Sequence, residues 1–424
     1  MFDTEMESSY RSDENGFLRP AYGGHCISNI PWTVLDYFGI RGRQPLPKGM
    51  YNGGKEKIIL FLFDGFGYAQ WKTRREPFID AFAKNGTISP ITTVFPSTTS
   101  ASLTTLSTGL TPQEHGVPEW TVFLKEVGSL AYILPFTALG SRGPDGLAER
   151  GFKNDIIFDG SPIYGRLKKE GVKSFTFINE AYATSAYSSA AMRGSETMPF
   201  VNLADLPVIL RKKVESVKGP AYFYVYVSDV DTIEHDYGPF TQEHYSQISL
   251  LSYSMKKEFI DKIDKKTAKD TEVFVTADHG QIQVNPKKTL YLNKFGWLKK
   301  SFMEWKGTVI EPSGGARDVF LHIKQEKLDY VISKLQGELR GKAVVRKTED
   351  AIEEGLFGLN TPKEKFLERV GNVLILPLKN GTIWYEHIKG RKFELKGHHG
   401  GLTKDEMLVP FASANLSDLK RNKN

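Results

Sequence analysis

The 424-residue sequence contains a single cysteine, Cys26, which excludes an internal disulfide and a thiolate-based metal site. No stretch approaches the roughly 18 consecutive apolar residues of a membrane-spanning helix, so we expect no membrane span. The segment Met1 to Asn15 is polar and acidic and lacks the apolar centre of a signal peptide, and we therefore predict a cytoplasmic protein. Basic residues are scattered among acidic ones and the formal net charge is only +6, which does not indicate a nucleic-acid partner.

What remains is an ordinary globular composition, 40% hydrophobic and 25% charged, organised around the apolar run Ile58–Phe63. A short apolar run followed by turn residues, here Asp64 and Gly65, is typical of a strand buried on both faces in a parallel sheet. Periodicity alone also allows a buried helix. The same arrangement recurs at 221–227 and 271–276, with helical segments between the runs. The sequence therefore predicts an α/β fold with a mostly parallel central sheet flanked by helices.

The alternation of predicted strands and helices, and its interruption after residue 283, divides the chain into four parts. We predict a lead-in packed on the core at 1–52, an α/β core at 53–283, an inserted small α+β subdomain at 284–396, and a return to the core with a polar tail at 397–424. Within the core we expect one helix over 66–84, a loop over 180–199, and one long helix over 242–265.

Acidic residues and histidines follow three of the predicted strands. The carboxyl ends of parallel strands meet at one edge of a sheet, so we expect these side chains to lie close together. The candidates are Asp64, Asp231, His235, Asp278, His279 and, after the insertion, His399. Mixed carboxylate and imidazole ligands suit Zn²⁺, with Mn²⁺ and Fe²⁺ as less selective alternatives. Each histidine alone is readily a structural or surface residue, and it is the set at the strand ends that indicates a metal-binding core.

Six such ligands are enough for two divalent metal ions with three ligands each. A pair of metal ions stabilises the attacking and leaving oxygens of an in-line displacement at phosphorus. A hydroxyl at a helix N-terminus fits this chemistry, because the helix dipole favours its alkoxide and the free N–H groups bind phosphate oxygens. A helix is predicted to begin at Thr98 or Thr99, where the hydroxyls are alternatively plain helix caps.

Taken in this order, the motifs resemble those of the alkaline phosphatase superfamily, and within it the nucleotide pyrophosphatase/type I phosphodiesterase family. The segments that carry the resemblance are Phe63–Gly65, Thr99–Gly109, Thr108–Gly116, Asp231–Pro239, Ala277–Gly280 and His399–Gly401. The resemblance implies an alkaline-phosphatase-like fold.

The resemblance also implies a role for each candidate. One metal ion would be held by Asp231, His235 and His399. The other would be held by Asp64, Asp278, His279 and Thr99, with Thr99 also the nucleophile. Thr98 is the alternative nucleophile, and His398 is the alternative to His399. Asp229 is expected to lie outside the direct metal ligands.

The implied activity is metal-dependent hydrolysis of a phosphodiester or pyrophosphate bond, with nucleotides as candidate substrates, through a phospho-threonine intermediate. The alternatives are a phosphomonoesterase or phosphomutase with the same site, and a non-catalytic binding protein that kept the fold. The sequence departs from the family at Trp120, where well-known diesterases carry an Asn whose amide binds a phosphate oxygen. We name Trp120 as a candidate substrate contact through its indole N–H.

Overall fold

The computed structural model describes residues 2–141 and 143–420. Its centre is a seven-stranded sheet with the strand order β2-β7-β6-β1-β5-β3-β4. In chain order, β1 to β7 are Lys57–Phe63, Thr87–Thr92, Lys173–Asn179, Glu196–Phe200, Ala221–Val227, Thr271–Thr276 and Leu408–Asn415. Strand β1 is buried along its whole length and pairs in parallel with β5 and β6. Strand β7 alone runs opposite to the other six strands, so the predicted fold class with a mostly parallel sheet is confirmed.

Helices flank the sheet and follow most of its strands. The α-helices of the described core are Thr4–Ser9, Ile30–Tyr37, Tyr68–Thr73, Pro77–Asn85, Thr99–Thr108, Pro112–His115, Gly146–Glu149, Tyr164–Lys169, Glu180–Ala183, Ala186–Ala191, Leu206–Ser216, Asp229–Tyr237, Gln242–Tyr253, Lys265–Lys269, Lys404–Met407 and Leu416–Leu419. Across the described residues, every helix is too short or too polar to cross a bilayer.

The structure corrects two of the predicted helices. The segment 66–84 forms two helices, because Pro77 starts a new one and holds Glu76 in an extended conformation at φ −127° and ψ 146°. The helix predicted over 242–265 is α-helical only as far as Tyr253 and continues as a π-helix over Ser254–Ile260. The apolar stripe that predicted the helix is nevertheless buried, since Ile248, Leu251 and Met255 all face the core.

The loop predicted over 180–199 is also wrong. The helices Glu180–Ala183 and Ala186–Ala191 occupy it, and the edge strand β4 follows. Asn179 and Ser185 cap these helices, each accepting a hydrogen bond from a backbone N–H of the first turn. The Ala- and Ser-rich composition that suggested a loop therefore encodes short capped helices.

Residues 284–396 contain a four-stranded antiparallel sheet of their own. Its strands, in spatial order, are Ser313–Gly314, Val319–Leu321, Val373–Pro377 and Ala343–Lys347. The helices of this segment are Leu328–Glu338, Thr348–Glu353 and Glu364–Val370. One face of the sheet, with Val319 and Ile375, packs in a separate apolar cluster with the Leu328–Glu338 helix. The other face, with Phe320 and Leu374, joins the main core. Both faces are thus buried, which holds the segment against the core; the boundaries 284 and 396 stay a prediction.

A buried ion pair joins this segment to the returning chain. The Arg317 guanidinium donates from Nε and Nη2 to the two carboxylate oxygens of Glu406, at 2.9 Å each, and both side chains are fully buried. Arg317 also donates to the backbone carbonyls of Lys379 and Gly381. Glu406 in turn accepts a hydrogen bond from the backbone N–H of Gly401. The contact therefore fixes the inserted sheet beside the loop that carries His399.

We expect Arg317→Leu to lower the free energy of unfolding by about 3–5 kcal/mol, because the Glu406 carboxylate would stay buried without its partner. The control is Arg19→Leu, which removes an ion pair with Glu354 whose side chains are 59% and 37% exposed. That change should cost no more than about 1 kcal/mol. Urea denaturation of both variants, at one fixed metal concentration, makes the comparison. Equal small losses would contradict a structural role for the buried pair.

Candidate metal centre

The predicted ligands lie at the carboxyl ends of three adjacent strands. Asp64 follows β1, Asp278 follows β6, and the helix Asp229–Tyr237 begins just after β5 and carries Asp231 and His235 one turn apart. Gly65 allows this convergence, because it has φ +73° and an added Cβ would lie 3.0 Å from Cα and Cβ of Asp231. The structure therefore brings these residues together at one edge of the sheet, as expected.

The first cluster consists of Asp64, Asp278, His279 and Thr99. The Nε2 atom of His279 lies 3.0 Å from the Thr99 hydroxyl oxygen and 3.4 Å from both Asp64 Oδ1 and Asp278 Oδ2. Both of these carboxylate oxygens are buried and have no hydrogen-bond partner. The other Asp278 oxygen accepts from the backbone N–H groups of Gly65 and His279, which orients the free oxygen towards the cluster. Buried carboxylate oxygens without donors are what a cation would satisfy.

The second cluster is centred on Asp231. Asp231 Oδ2 lies 3.3 Å from His235 Nε2, and Asp231 Oδ1 lies 3.8 Å from His399 Nε2. The His399 ring stacks on the His279 ring with centroids 3.6 Å apart, so the two clusters are contiguous. His398 is close enough to His235 and His399 to share a cation with them. Its Nε2, however, accepts a hydrogen bond from the Ala316 backbone N–H. His399 therefore remains the better ligand for the Asp231 cluster.

The three clustered histidines share one hydrogen-bond pattern. Each Nδ1 faces a backbone carbonyl: His235 that of Gly397 at 2.9 Å, His279 that of Gly280 at 3.2 Å, and His399 that of Ser97 at 3.0 Å. A carbonyl oxygen only accepts, so Nδ1 carries the hydrogen in each ring and Nε2 presents a lone pair to the cluster. This is the arrangement in which histidines bind metal ions.

Burial and neighbouring charges shift the pKa values of the clustered side chains in both directions. Burial and the neighbouring carboxylates Asp278 and Asp231 raise the pKa of Asp64 well above its usual range. Burial and the proximity of His279 lower the pKa of His399 well below its usual range, which favours a neutral imidazole. Although burial lowers it, the Asp231 carboxylate raises the pKa of His235 to about 8. Three overlapping groups of the described residues could hold a divalent cation: Asp64 with Asp278 and His279, Asp231 with His279 and His399, and His235 with His398 and His399.

Thr99 is placed at the first turn of the Thr99–Thr108 helix, with Thr98 in the extended conformation of an N-cap. The Thr98 hydroxyl lies beside the Glu119 side chain, whereas the Thr99 hydroxyl faces His279. The two candidate nucleophiles therefore differ in their surroundings, and Thr99 is the one that reaches the cluster. Asp229 lies outside the three groups of described residues that could hold a metal ion.

Two contacts to the ligands have no signal in the sequence. The Gln281 amide donates to the carboxylate and the backbone carbonyl of Asp231. The Tyr226 hydroxyl donates to Asp64 Oδ2. Gln281 follows the Ala277–Gly280 motif and Tyr226 lies on β5, so only the folded positions reveal that they contact candidate metal ligands.

The sequence is also similar to known proteins. Residues 58–402 match a family model described as type I phosphodiesterase/nucleotide pyrophosphatase. The venom phosphodiesterase CdcPDE of Crotalus durissus collilineatus is 22% identical over 277 residues, which cover 64% of this chain and 31% of that protein. Human ectonucleotide pyrophosphatase/phosphodiesterase family member 1 is 24% identical over 244 residues, covering 56% and 25%. The chain thus spans about a third or less of the length of these relatives.

Solved structures show the same fold. Murine ectonucleotide pyrophosphatase/phosphodiesterase 5 superposes with a TM-score of 0.62 and 20% identity, covering 87% of this chain and 93% of that one. An inactive variant of the same murine protein in complex with AMP gives a TM-score of 0.60 at 20% identity, covering 86% and 93%.

We expect Gln281→Met to weaken binding of one metal equivalent by about 10- to 100-fold, because the Asp231 carboxylate loses the amide that orients it. The measurement is a metal dissociation constant by chelator competition. Gln325→Met, at an exposed position of the inserted segment, is the matched control and should leave both equivalents unchanged. Wild-type affinity in Gln281→Met would show that Asp231 is held without the amide.

Proposed function

We propose, from the premise that the chain belongs to the type I phosphodiesterase/nucleotide pyrophosphatase family, that it hydrolyses phosphodiester or pyrophosphate bonds with the help of two divalent metal ions. Nucleotides are the candidate substrates. The observation that carries the proposal is the Thr99 hydroxyl, which lies at a helix N-terminus and 3.0 Å from His279 Nε2, beside buried carboxylate oxygens without partners. The predicted cytoplasmic location stays a prediction.

Asp64, Asp278, His279 and Thr99 would hold one cation. Asp231, with the Nε2 atoms of His235 and His399 at 3.3 and 3.8 Å from its carboxylate, would hold the other. Zinc suits these oxygen and nitrogen ligands best, with manganese or iron as alternatives. When bound, the two cations supply the charge that stabilises the Thr99 alkoxide and the transition state.

Thr99 then performs the first of two in-line displacements. Its oxygen attacks phosphorus and the leaving group departs, which gives a phospho-threonine. The first hydrogen bond of the helix runs from Ser102 N–H to the Thr98 carbonyl, so the N–H groups ahead of it are free to bind phosphoryl oxygens. Water completes the reaction by displacing the Thr99 oxygen in the second step.

Two cavities meet at Thr99, and they favour a diester over a monoester. The first, of about 470 Å³, is called the tyrosine cavity and is lined by Tyr164, Tyr182, Tyr187, Tyr224 and Tyr226 among others. The second, of about 760 Å³, is called the insert cavity and is lined by most residues between Ile383 and Leu395 of the inserted segment. Thr99, Trp120 and Asp231 line both. A phosphodiester has two substituents to accommodate, and a monoester has one. Trp120 is 39% exposed and lines both cavities, and it is the proposed substrate contact.

We expect Thr99→Ala to lower turnover by several orders of magnitude while the fold and both metal equivalents are retained, because it removes the attacking oxygen. Thr99→Ser keeps a hydroxyl and should retain partial activity. Thr98→Ala is the control, since Thr98 contacts Glu119 and should affect stability more than rate. Steady-state kinetics with metal analysis of each variant separate these roles. A dead Thr98→Ala beside an active Thr99→Ala would move the nucleophile by one residue. Activity in both would indicate direct attack by water.

The unmodified protein should cleave bis-(p-nitrophenyl) phosphate faster than p-nitrophenyl phosphate, and a chelator should abolish both reactions. Parallel assays on one sample, with elemental analysis, make the test. A monoester rate more than about tenfold higher, equivalent to ~1.4 kcal/mol in the barrier, would replace the proposal with a phosphomonoesterase. No turnover of either ester with both metal equivalents bound would favour a binding protein.

A further inference from the structure

The helix Asp229–Tyr237, which carries Asp231 and His235, also carries a buried acid that has no role in the proposed function. This residue, Glu234, is fully buried. It follows Asp231 by three positions, and residues three apart in a helix lie on the same side. Any rotation of the helix that moves the Glu234 side chain therefore also moves the Asp231 carboxylate.

Two buried side chains from neighbouring helices reach one oxygen of Glu234. The amide of Gln70, on the helix Tyr68–Thr73, donates a hydrogen bond to Glu234 Oε1. The Nε2 atom of His244, on the helix Gln242–Tyr253, lies 3.0 Å from the same oxygen. Three helices therefore meet at a single carboxyl oxygen.

The hydrogen of His244 is placed by its other ring nitrogen. The Nδ1 atom accepts a hydrogen bond from the backbone N–H of Phe240 at 3.1 Å. Burial lowers the pKa of His244 to about 4, so the ring is neutral and its single hydrogen lies on Nε2. Within the described chain, that hydrogen has no acceptor other than Glu234. His244 therefore presents its hydrogen to the Glu234 carboxyl group.

The other oxygen of Glu234 lies beside the segment that carries the first ligand cluster. A Cβ added at Gly65 would lie 3.2 Å from Glu234 Oε2 and 3.0 Å from Cα and Cβ of Asp231. Gly65 directly follows Asp64, whose carbonyl accepts a hydrogen bond from the Asp231 backbone N–H at 3.1 Å. The Glu234 side chain thus packs where the two ligand-bearing segments touch.

Resting on the proposed function, we propose that Glu234 is a positioning residue for the second cation. Gln70 and His244 fix its carboxyl group, and the helix that carries Asp231 and His235 is thereby held in one orientation. Both donors reach Glu234 Oε1, so Glu234 acts as a hydrogen-bond acceptor and its charge is not required. An amide oxygen at the same place accepts from the same donors. Ligands that are already oriented bind a cation more tightly than ligands that must first be ordered.

The test measures zinc dissociation constants by chelator competition in two variants of Glu234. We expect Glu234→Met to weaken one of the two zinc equivalents by about 10- to 100-fold, as loss of a residue that supports a metal ligand does. Glu234→Gln keeps an acceptor oxygen and should stay within about threefold of the unmodified protein. If Glu234→Gln is as weak as Glu234→Met, the charge and not the position matters, and the proposal is overturned.

Glu272→Met is the matched control. Glu272 is also fully buried, and one of its oxygens accepts from the Ser413 hydroxyl at 2.8 Å while the other has no partner among the residues that the structure describes. It lies near the start of β6, whereas Asp278 follows the end of that strand. The substitution should lower the free energy of unfolding and leave both zinc equivalents unchanged. An equal loss of zinc affinity in Glu272→Met would indicate general destabilisation and overturn the proposal.

Two further variants identify the affected equivalent and guard against misfolding. His235→Ala removes a ligand of the second cluster, so the tighter equivalent that remains belongs to the first. Adding Glu234→Met to His235→Ala should leave that remaining dissociation constant unchanged. Gln70→Met removes the amide donor from a different helix and should weaken the same equivalent as Glu234→Met, which keeps the test decisive if Glu234→Met does not fold. Unchanged affinity for both equivalents in Gln70→Met would overturn the proposal.

Zinc binding and ester cleavage together separate this proposal from the proposed function. If the unmodified protein binds two zinc equivalents and cleaves neither nitrophenyl ester, the proposed function is overturned, and a selective loss of zinc in Glu234→Met still supports the positioning role. If the unmodified protein cleaves an ester and Glu234→Met binds both equivalents with unchanged affinity, the positioning role is overturned and the proposed function stands.

Discussion

The structure depends on the convergence of three carboxylates at one edge of the sheet. Asp64, Asp231 and Asp278 end or follow strands that must lie side by side for the core to pack, so their charges are brought together by the fold itself. Two of their oxygens are buried and have no donor within the described chain. Such an arrangement is unfavourable unless cations balance it. The histidines around it turn Nε2 towards these carboxylates, and the two residue types together could hold divalent ions.

The histidines owe their orientation to segments distant in sequence. His235 bonds to the carbonyl of Gly397, and His399 bonds to the carbonyl of Ser97. The loop from Gly397 to Gly401 therefore touches both Ser97, two residues before Thr99, and the helix after β5. Arg317 and Glu406 fix the same loop against the inserted sheet. The inserted segment thus supports the second ligand cluster and also forms one wall of the insert cavity.

Much of the fold and the candidate cluster could be predicted because strand ends of a parallel sheet converge, and a run such as Ile58–Phe63 identifies its own strand end. A single residue, Pro77, breaks the predicted helix, but the residues on both sides of it follow a helical pattern and therefore predict one continuous helix. The contact from Gln281 to Asp231 joins residues 50 positions apart, with no local pattern to reveal it. The cavities could not be predicted for the same reason, since their walls come from segments such as 121–138 and 383–395 that meet only after folding.

Strand β7 lies between β2 and β6, although it is made long after both. During translation of the inserted segment, the nascent chain therefore holds two strands whose shared neighbour does not yet exist. Unpaired strand edges invite pairing with other chains. A product that stopped before Leu408 would leave the gap open, and we expect it to be handled by the cell as an aggregation-prone fragment rather than as a folded protein lacking one strand. Completion of the sheet and completion of the ligand set are thus nearly simultaneous events, because His399 is made only nine residues before β7 begins.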